Sequence, residues 1–379
     1  MRRRAVLWRG WELATAAAGG SYYGARGVPG PARGTIRAVS IGVVIVNHER
    51  AELLRDCLAS LAAEPHADLV TVLVDNGSRD DSVAVARSVL PTVEVVALPH
   101  NTGFAHANNV GICRALERGC EAVLVLNNDT RVEPGALAAL AAALDPDAGV
   151  GMASPKVVLM ADGTIDATGQ RITRDGFAKC ADAGRQPAEC DAPGESFAPY
   201  GAAGLYHRRL LVDVAPDGEV FDEDFRLYCE ELDLGWRARL RGWGCVYVPQ
   251  AVIQHHRGGT AGQYSELLAY QTSRNTLWNV IKNYPGWYAA RALLLSLVRP
   301  LVLAVGLVAG RGPAQKFGER IPPRRLATVM LRAWLDAVRG APAMLRKRRR
   351  IQGRRTASPE EVARWFDELG EPFFAGLLR

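Results

Sequence analysis

The apolar positions of this chain fall into short, unbroken runs that end abruptly in polar residues. "AVSIGVVIVNHE" (38–49), "LVTVLVDNGS" (69–78), "VEVVALPHNTGF" (93–104) and "EAVLVLNNDT" (121–130) are rich in Val, Ile and Leu without alternation. That pattern predicts strands buried on both faces. Between them the period changes. "RAELLRDCLASLAAE" (50–64) spaces Leu53, Leu54, Cys57, Leu58 and Leu61 for one face of a helix. "DDSVAVARSVL" (80–90) and "AHANNVGICRALERG" (105–119) read as two more helices. Strands alternating with helices of this length predict a parallel sheet with right-handed crossovers. Ligands bind such sheets beyond the carboxyl ends of the strands.

The second half changes character. Residues 160–200 are rich in Gly, Asp and Ala and predict loops around short strands. "YGAAGLYHRRLLVDV" (200–214) predicts a strand leading into a helix, and "FDEDFRLYCEELDLGWRARLRGW" (221–243) an acidic loop leading into another. "CVYVPQAVIQHHRGGT" (245–260) predicts a strand ending in histidines, and beyond Gly262 the pattern is mostly helical. "ALLLSLVRPLVLAVGLVAG" (292–310) is the most apolar stretch. Its length is close to the ~20 residues of a spanning helix. Arg299 and Pro300 in its middle predict a broken or interfacial hairpin instead of a clean span.

Composition adds limits. A chain of 379 residues, 48% of them apolar, accommodates one large α/β domain with an appendage, or two domains. The net charge of +6 is unevenly spread, concentrated in "MRRR" at the start and "RKRRRIQGRR" (346–355). Arg311, Lys316, Arg320, Arg324 and Arg325 lie beside the apolar stretch. This asymmetry suggests contact with an anionic surface, lipid headgroups or nucleic acid, with the apolar neighbour favouring lipid. Residues 1–37 lack a sustained period and read as a disordered basic tail; "ATAAAGG", preceded by Glu12, is short for a secretion signal. Seven cysteines without C-x-x-C or Cys/His metal spacing read as reduced thiols of a cytoplasmic protein.

The candidate chemistry lies at the strand ends: Asn47, His48 and Glu49; Asp75, Asn76 and Ser78; Asn101; then Asn127, Asn128 and Asp129. Asp129 is a hard oxygen ligand suited to Mg²⁺ or Mn²⁺ on a diphosphate. "NNDT" before "EPGALAAL" equally suits a helix start. Asp75 in "DNGS" fits a plain turn or a contact to a ribose or base. Glu230, Glu231 and Asp233 either complement a helix dipole or offer a general base. His255 and its rival His256 end the last strand, and Arg257 before Gly258 and Gly259 could clamp a phosphate. No G-x-G-x-x-G follows the first strand and no P-loop occurs, which disfavours dinucleotide oxidoreductases and P-loop enzymes.

The order "VVIVNHER", "VLVDNGSRDDS", "NTGFAHANNVGI", "LNNDT", "GAAGLYHRRLL", "EELDLGWRARLRGW", "VIQHHRGG" resembles the inverting family 2 glycosyltransferases of GT-A fold, most closely their rhamnosyltransferase-like branch, over about residues 39–290. The resemblance implies an α/β nucleotide-diphospho-sugar transferase domain over 38–262, with 38–130 holding the nucleotide and 131–262 the acceptor. A helical, membrane-associating region over 263–379 would follow. It implies that Asn47 and Glu49 contact base and ribose, that Asp75 binds the base, and that Asn101, Gly103 and Asn108 form the N-x-G-x-x-x-x-N loop over the nucleotide. Asn76, Asn128 and Arg257 complete the donor-binding set. Asp129 takes the last place of the family's D-x-D motif, with Asn127 in the first, and holds the metal with His255. Glu231 takes the place of the general base in "EELD", with Glu230 as rival and Asp233 as the third acid. A Mn²⁺ or Mg²⁺ cofactor is implied, with dTDP-rhamnose as first donor and a UDP-hexose as second. A lipid-linked or cell-envelope glycan is the implied acceptor, at the inner face of the cell membrane, with no nucleic-acid partner. Asn127 and Glu231 both stand where the family often has Asp. The alternative they leave open is a membrane-docked scaffold that binds nucleotide sugar with little turnover.

Overall fold

The structure is a computed structural model that describes residues 39–66, 68–216, 218–257, 264–308 and 313–372, and of 300–314 the backbone alone where it is described. The expected basic tail, the Gly258–Gly259 pair and Arg311 lie outside the described residues. The four polar-ended runs form β1 (Ile41–Asn47), β2 (Leu69–Asp75), β3 (Glu94–Ala97) and β4 (Ala122–Asn127). Helices α1 (Ala51–Ala62), α2 (Ser82–Val89) and α3 (Phe104–Glu117) join them. The strands are parallel in the order β3-β2-β1-β4. The chain therefore lays β2 and β3 on one side of β1 and β4 on the other, which opens a crevice at the end of β1. Register completes the effect: Asn47 pairs with Asp75, and Val46 with Asn127, so the polar ends share one edge.

The chain continues through β5 (Thr130–Val132), α4 (Ala136–Ala142), β6 (Val150–Leu159) and β7 (Ile165–Ala167). Then come β8 (Gln170–Thr173), β9 (Ala178–Cys180), β10 (Gly194–Glu195), β11 (Ala203–His207), α5 (Arg208–Val214), α6 (Glu230–Leu240) and β12 (Gly244–His255). The large sheet extends from β4 through β11, β6, β12 and β10. Strand β11 runs against both its neighbours, and β12 runs parallel to β6. The short β5 folds back on β12 and sets Thr130 opposite His255. The result is the α/β architecture expected, with a large, mostly parallel central sheet and helices after it.

The C-terminal helices are α7 (Glu266–Asn283), α8 (Gly286–Val308), α9 (Pro313–Gly318), α10 (Pro323–Gly353) and α11 (Pro359–Glu368), closed by β13 (Gly370–Glu371). They are knitted to the sheet domain. Trp365 and Phe366 of α11 share a buried cluster with Phe197, Trp236 and Tyr284, and β13 pairs with β8. Packing is thus continuous across residue 262, where the sequence pattern changes.

Two expectations are revised. The stretch 292–310 is not a broken hairpin over its described part: α8 runs without interruption through position 300 to Val308. Arg299 holds this helix on the domain, with Nη1 2.5 Å from Asp175 Oδ2 and the guanidinium over the Phe177 ring. Among the described residues no helix is long and apolar enough to cross a membrane. The basic run 346–355, in turn, is partly turned inward. Lys347 pairs with Asp222 and Asp224, Arg348 donates to the carbonyls of Ile281 and Tyr284, and Arg354 donates to Asp213. All seven cysteines are free thiols.

Helix α3 lies close against β1 and β2 because Gly111 has no side chain. A Cβ there would meet Val44 Cγ1 at 2.3 Å and Val74 Cγ2 at 3.0 Å. Both neighbours are β-branched and stiff. Gly111→Ala should therefore destabilise by about 1–3 kcal/mol through overpacking, despite the better helix propensity of Ala. Urea unfolding checks this: the midpoint falls with an unchanged slope.

Candidate active site

Asn47 is fully buried at the end of β1. Its Oδ1 accepts from Asn128 Nδ2 (2.7 Å) and its Nδ2 donates to Ser78 Oγ (3.3 Å). One amide thus ties the end of β4 to the turn after β2. Ser78 Oγ also accepts from Glu49 N (2.8 Å). Glu49 and Arg50 turn sharply away there, at φ 61° and 68°, which leaves Glu49 exposed at the rim. Asp75 is buried; its Oδ2 accepts from Ser78 N (3.2 Å), while Oδ1 has no partner. A buried carboxylate oxygen without a donor is costly, and a ligand hydroxyl or ring N–H would satisfy it. Beside it a cavity of about 390 Å³, lined by His48, Glu49, Arg79, His100 and Asn101, opens over the ends of β1 to β3.

Asn76 works on the chain itself. Its Oδ1 accepts from Thr102 N (2.9 Å) and Oγ1 (3.1 Å), and its Nδ2 donates to Asn101 Oδ1 and Gly103 O, both at 3.3 Å. It shapes the loop that enters α3. Gly103 has φ 97°, a backbone conformation that favours glycine. Asn108 is fully buried; its Nδ2 donates to Phe104 O (3.0 Å) and its Oδ1 is unpartnered.

At the end of β12 the strand alternation separates the two histidines: His255 is buried and His256 exposed. His255 Nε2 lies 3.2 Å from Asp129 Oδ1, and its Nδ1 lies 2.7 Å from Asp166 Oδ2. Arg257 Nη1 stands 3.0 Å from the other oxygen of Asp166. Burial opposes charge on the imidazole, but the bonds to Asp129 and Asp166 outweigh it and raise its pKa to about 9. Asn127 is half-buried, and its backbone N–H donates to Ala202 O (2.9 Å). Asp129 Oδ1 and His255 Nε2 face one another, as two ligands of one divalent ion would. Asp166 on Nδ1 fixes which nitrogen is presented. Among the described residues no group of three or more His, Cys, Asp or Glu could hold an ion. The pair fits an ion whose other ligands are diphosphate oxygens and water.

The acidic loop before α6 holds Arg226, Tyr228 and Cys229 at φ 63°, 69° and 67°. Arg226 O accepts from Phe104 N (2.7 Å) and Ala105 N (3.1 Å), filling the open amides at the start of α3. Asn275 of α7, fully buried, directs Nδ2 at the carbonyls of Phe225 (3.0 Å), Leu227 (3.0 Å) and Tyr228 (2.7 Å). The acids emerge from this braced loop. Glu231 Oε1 accepts from Gln170 Nε2 (2.9 Å), and a Cβ at Gly201 would sit 3.1 Å from the same oxygen. Glu230 is buried, with Oε2 unpartnered.

Burial raises both glutamates, and the charge of Glu231 raises Glu230 further, well above the ordinary range. Helix-start N–H groups and Gln170 draw Glu231 back. Of the pair, Glu231 is therefore the readier to ionise and Glu230 the readier to keep a proton. Asp233 is different. It is fully buried and bonded to Arg237 Nε (2.9 Å), Lys282 Nζ (2.6 Å) and Asn283 Nδ2 (2.7 Å). Despite burial, Arg237 and Lys282 hold it below the ordinary carboxylate range. Its carboxylate joins α6 to α7 and is not free to take a proton from a substrate.

Tyr200 connects the two acidic groups. Its ring lies 6.1 Å from that of His255, and Asp166, Arg257 and Glu231 all act on its phenol. Asn47, Asp75, Asn128, Asp129, His255 and Glu231 thus belong to one edge of the sheet. Asp166, Gln170 and Asn275 escape a reading by motif. Asp166 and Gln170 sit in "IDATGQ" with no motif around them. For Asn275 there is a signal: Gln271, Asn275, Asn279, Lys282 and Asn283 are polar at helical spacing, and all are buried.

Residues 42–181 match the family model "Glycosyl transferase family 2". Over those residues the chain is thus similar to the glycosyl transferase family 2, within the α/β fold described above. Its activity is that of a glycosyltransferase. It is 29% identical over 269 residues to the N-acetylglucosaminyl-diphospho-decaprenol L-rhamnosyltransferase of Mycobacterium tuberculosis (strain ATCC 25618 / H37Rv), covering 65% of this chain and 86% of that one. It is 27% identical over 292 residues to an N-acetylglucosaminyltransferase of Mesorhizobium japonicum, covering 72% of this chain and 65% of that one. The crystal structure of GalNAc-T7 with UDP, GalNAc and Mn²⁺ shares the fold, with TM-score 0.52 and 17% identity, over 65% of this chain and 48% of that one. This chain thus spans about half of that structure's chain.

Asn275→Ala should lower kcat about tenfold or more, because displaced catalytic groups lose rate steeply with distance. The donor KM should stay within about twofold, with the circular dichroism spectrum unchanged. Gly201→Ala, which presses on the Glu231 carboxylate from the other side, should give the same kinetic signature.

Proposed function

We propose that this protein is an inverting hexosyltransferase. It moves a sugar, rhamnose in first place, from a nucleoside diphosphate donor to a lipid-linked saccharide at the inner face of the cell membrane. The observation that supports this most is the pairing of an ionisable half-buried carboxylate, Glu231, with the Asp129–His255 pair across Tyr200. The cavity over β1 to β3 and the open oxygen of Asp75 suit a nucleoside base and ribose. dTDP-rhamnose is the favoured donor and a UDP-hexose the second, as the family resemblance implies, and the relative at 29% identity is an L-rhamnosyltransferase by name. The division of labour we infer is donor binding by 38–130, acceptor binding by 131–262, and support of the site from 263 onward.

In this mechanism Asp129 and His255 would hold a Mn²⁺ or Mg²⁺ ion, which would supply positive charge against the diphosphate. Asn128 holds Asn47 in place, and Asn101 and Gly103 keep the loop over the donor. Glu231 accepts the proton of the acceptor hydroxyl as that oxygen bonds to the anomeric carbon. The bond from that carbon to the diphosphate oxygen breaks, and the electron pair leaves with the nucleoside diphosphate. Gln170 and the start of α6 keep Glu231 ionised, while protonated Glu230 beside it cannot compete.

The test is release of nucleoside diphosphate by the full chain, given dTDP-rhamnose, Mn²⁺ and a polyprenyl-diphosphate-linked N-acetylglucosamine. Glu231→Gln should cut release by about 10²–10⁴-fold, and Asp129→Ala should abolish the response to added Mn²⁺. Release unchanged in Glu231→Gln would overturn the assignment of the base. Nucleotide binding with no release in any metal would favour a scaffold, the reading that Asn127 and Glu231 in place of Asp leave standing.

The pH dependence follows from the raised pKa of Glu231. The rate should climb with pH through a limb above the ordinary glutamate value of about 4.3, because only the ionised form accepts a proton. That limb should vanish from the residual activity of Glu231→Gln.

A further inference from the structure

Helix α10 presents two unlike faces. Its inner face, with Ala333, Ala337, Gly340 and Met344, packs on α7; a Cβ at Gly340 would meet Trp278 at 2.4 Å. On the opposite side Leu331, Leu335, Val338 and Leu345 are 61%, 48%, 69% and 49% exposed. They follow one another at steps of four, three and seven residues, so they form one stripe. An arginine directly follows three of them: Arg332, Arg339 and Arg346, each seven residues from the next. The side chains of Arg332 and Arg339 are 78% and 72% exposed, and Arg346 is exposed as well. Asp336 is the one acid in this helix, and it accepts from Tyr270 Oη and Arg339 Nη1.

An apolar stripe of this size on a soluble face has a cost that a covering partner removes. The row of arginines decides which partner. A second copy seated face to face would bring like charges together, and Asp336, the one acid of the helix, is already paired with Arg332 and Arg339. A bilayer containing anionic lipid takes the apolar stripe among its acyl chains and the guanidinium groups among its headgroups.

We propose that the outer face of α10, from Leu331 to Arg346, is a docking surface for an anionic lipid bilayer, separate from the catalytic edge of the sheet. It differs from the segment that sequence alone points to. The apolar run of α8 is anchored to the domain through Arg299, and Lys347, Arg348 and Arg354 are engaged within the protein. The part of α10 that precedes Lys347 offers apolar and cationic side chains together.

The experiment is co-sedimentation of the full chain with vesicles of phosphatidylglycerol and phosphatidylcholine in equal parts, and with phosphatidylcholine alone. The intact chain should bind the mixed vesicles and prefer them over phosphatidylcholine by at least about tenfold at low salt, less as salt rises. The triple substitutions L331S/L335S/V338S and R332Q/R339Q/R346Q should each weaken binding about tenfold or more. Both should retain metal-dependent hydrolysis of the donor, which keeps this surface distinct from the catalytic reading. Binding unchanged in both variants overturns the proposal. So does loss of binding only in L294S/L297S on α8, or a concentration-dependent dimer that disappears in the α10 variants.

Discussion

The catalytic edge depends on a loop that would not hold its shape alone. Arg226, Tyr228 and Cys229 are left-handed without being glycine, and such residues persist only where the surroundings over-determine them. The surroundings are two: the open amides of α3, which take Arg226 O, and the Asn275 amide, which takes the carbonyls behind it. One end of the loop therefore closes the donor side and the other launches the acids of α6. The loop that enters α3 and the start of α6 are parts of one braced object, although more than a hundred residues separate Gly103 from Glu231 in the chain.

Neighbouring carboxylates along α6 meet opposite fates for physical reasons. Asp233 faces α7 and finds two cations and an amide, so it stays charged inside the protein. Glu230 is equally buried but finds no cation, so the neutral acid is its stable form. Glu231 lies between these extremes, with one amide donor and helix-start N–H groups. Its ionised form is supported without being locked into an ion pair, the condition a proton acceptor needs. The same logic separates Asp129, which faces His255, from Asp166, which stands behind it and sets the ring.

Much of this was legible from pattern. Buried parallel strands announce themselves as unbroken apolar runs, and their polar ends pointed to Asn47, Asp75, Asn128 and Asp129. The sequence could not tell the acids of "EELD" apart, because helical position alone puts all three in the first turn; Arg237 of α6 and Lys282 of α7 single out Asp233. Nor could it find Asp166, whose role depends on β7 lying beside β12. The basic run 346–355 read as surface charge because its partners, Asp213, Asp222 and Asp224, lie more than a hundred residues upstream. Arg299 looked like a break in an apolar span for the same reason.

The closing strand β13 carries a consequence for how the protein is made. Ile172 donates its backbone N–H to Leu369 O, and the aromatic cluster around Trp236 is completed by Trp365 and Phe366. These contacts join residues about two hundred positions apart. During synthesis the sheet domain can collapse early, but the wall behind Gln170 and α6 stays unfinished until α11 and β13 have left the ribosome. A nascent chain would thus set the ends of β1 to β4 well before the packing around the start of α6, which is complete only once α11 and β13 have emerged.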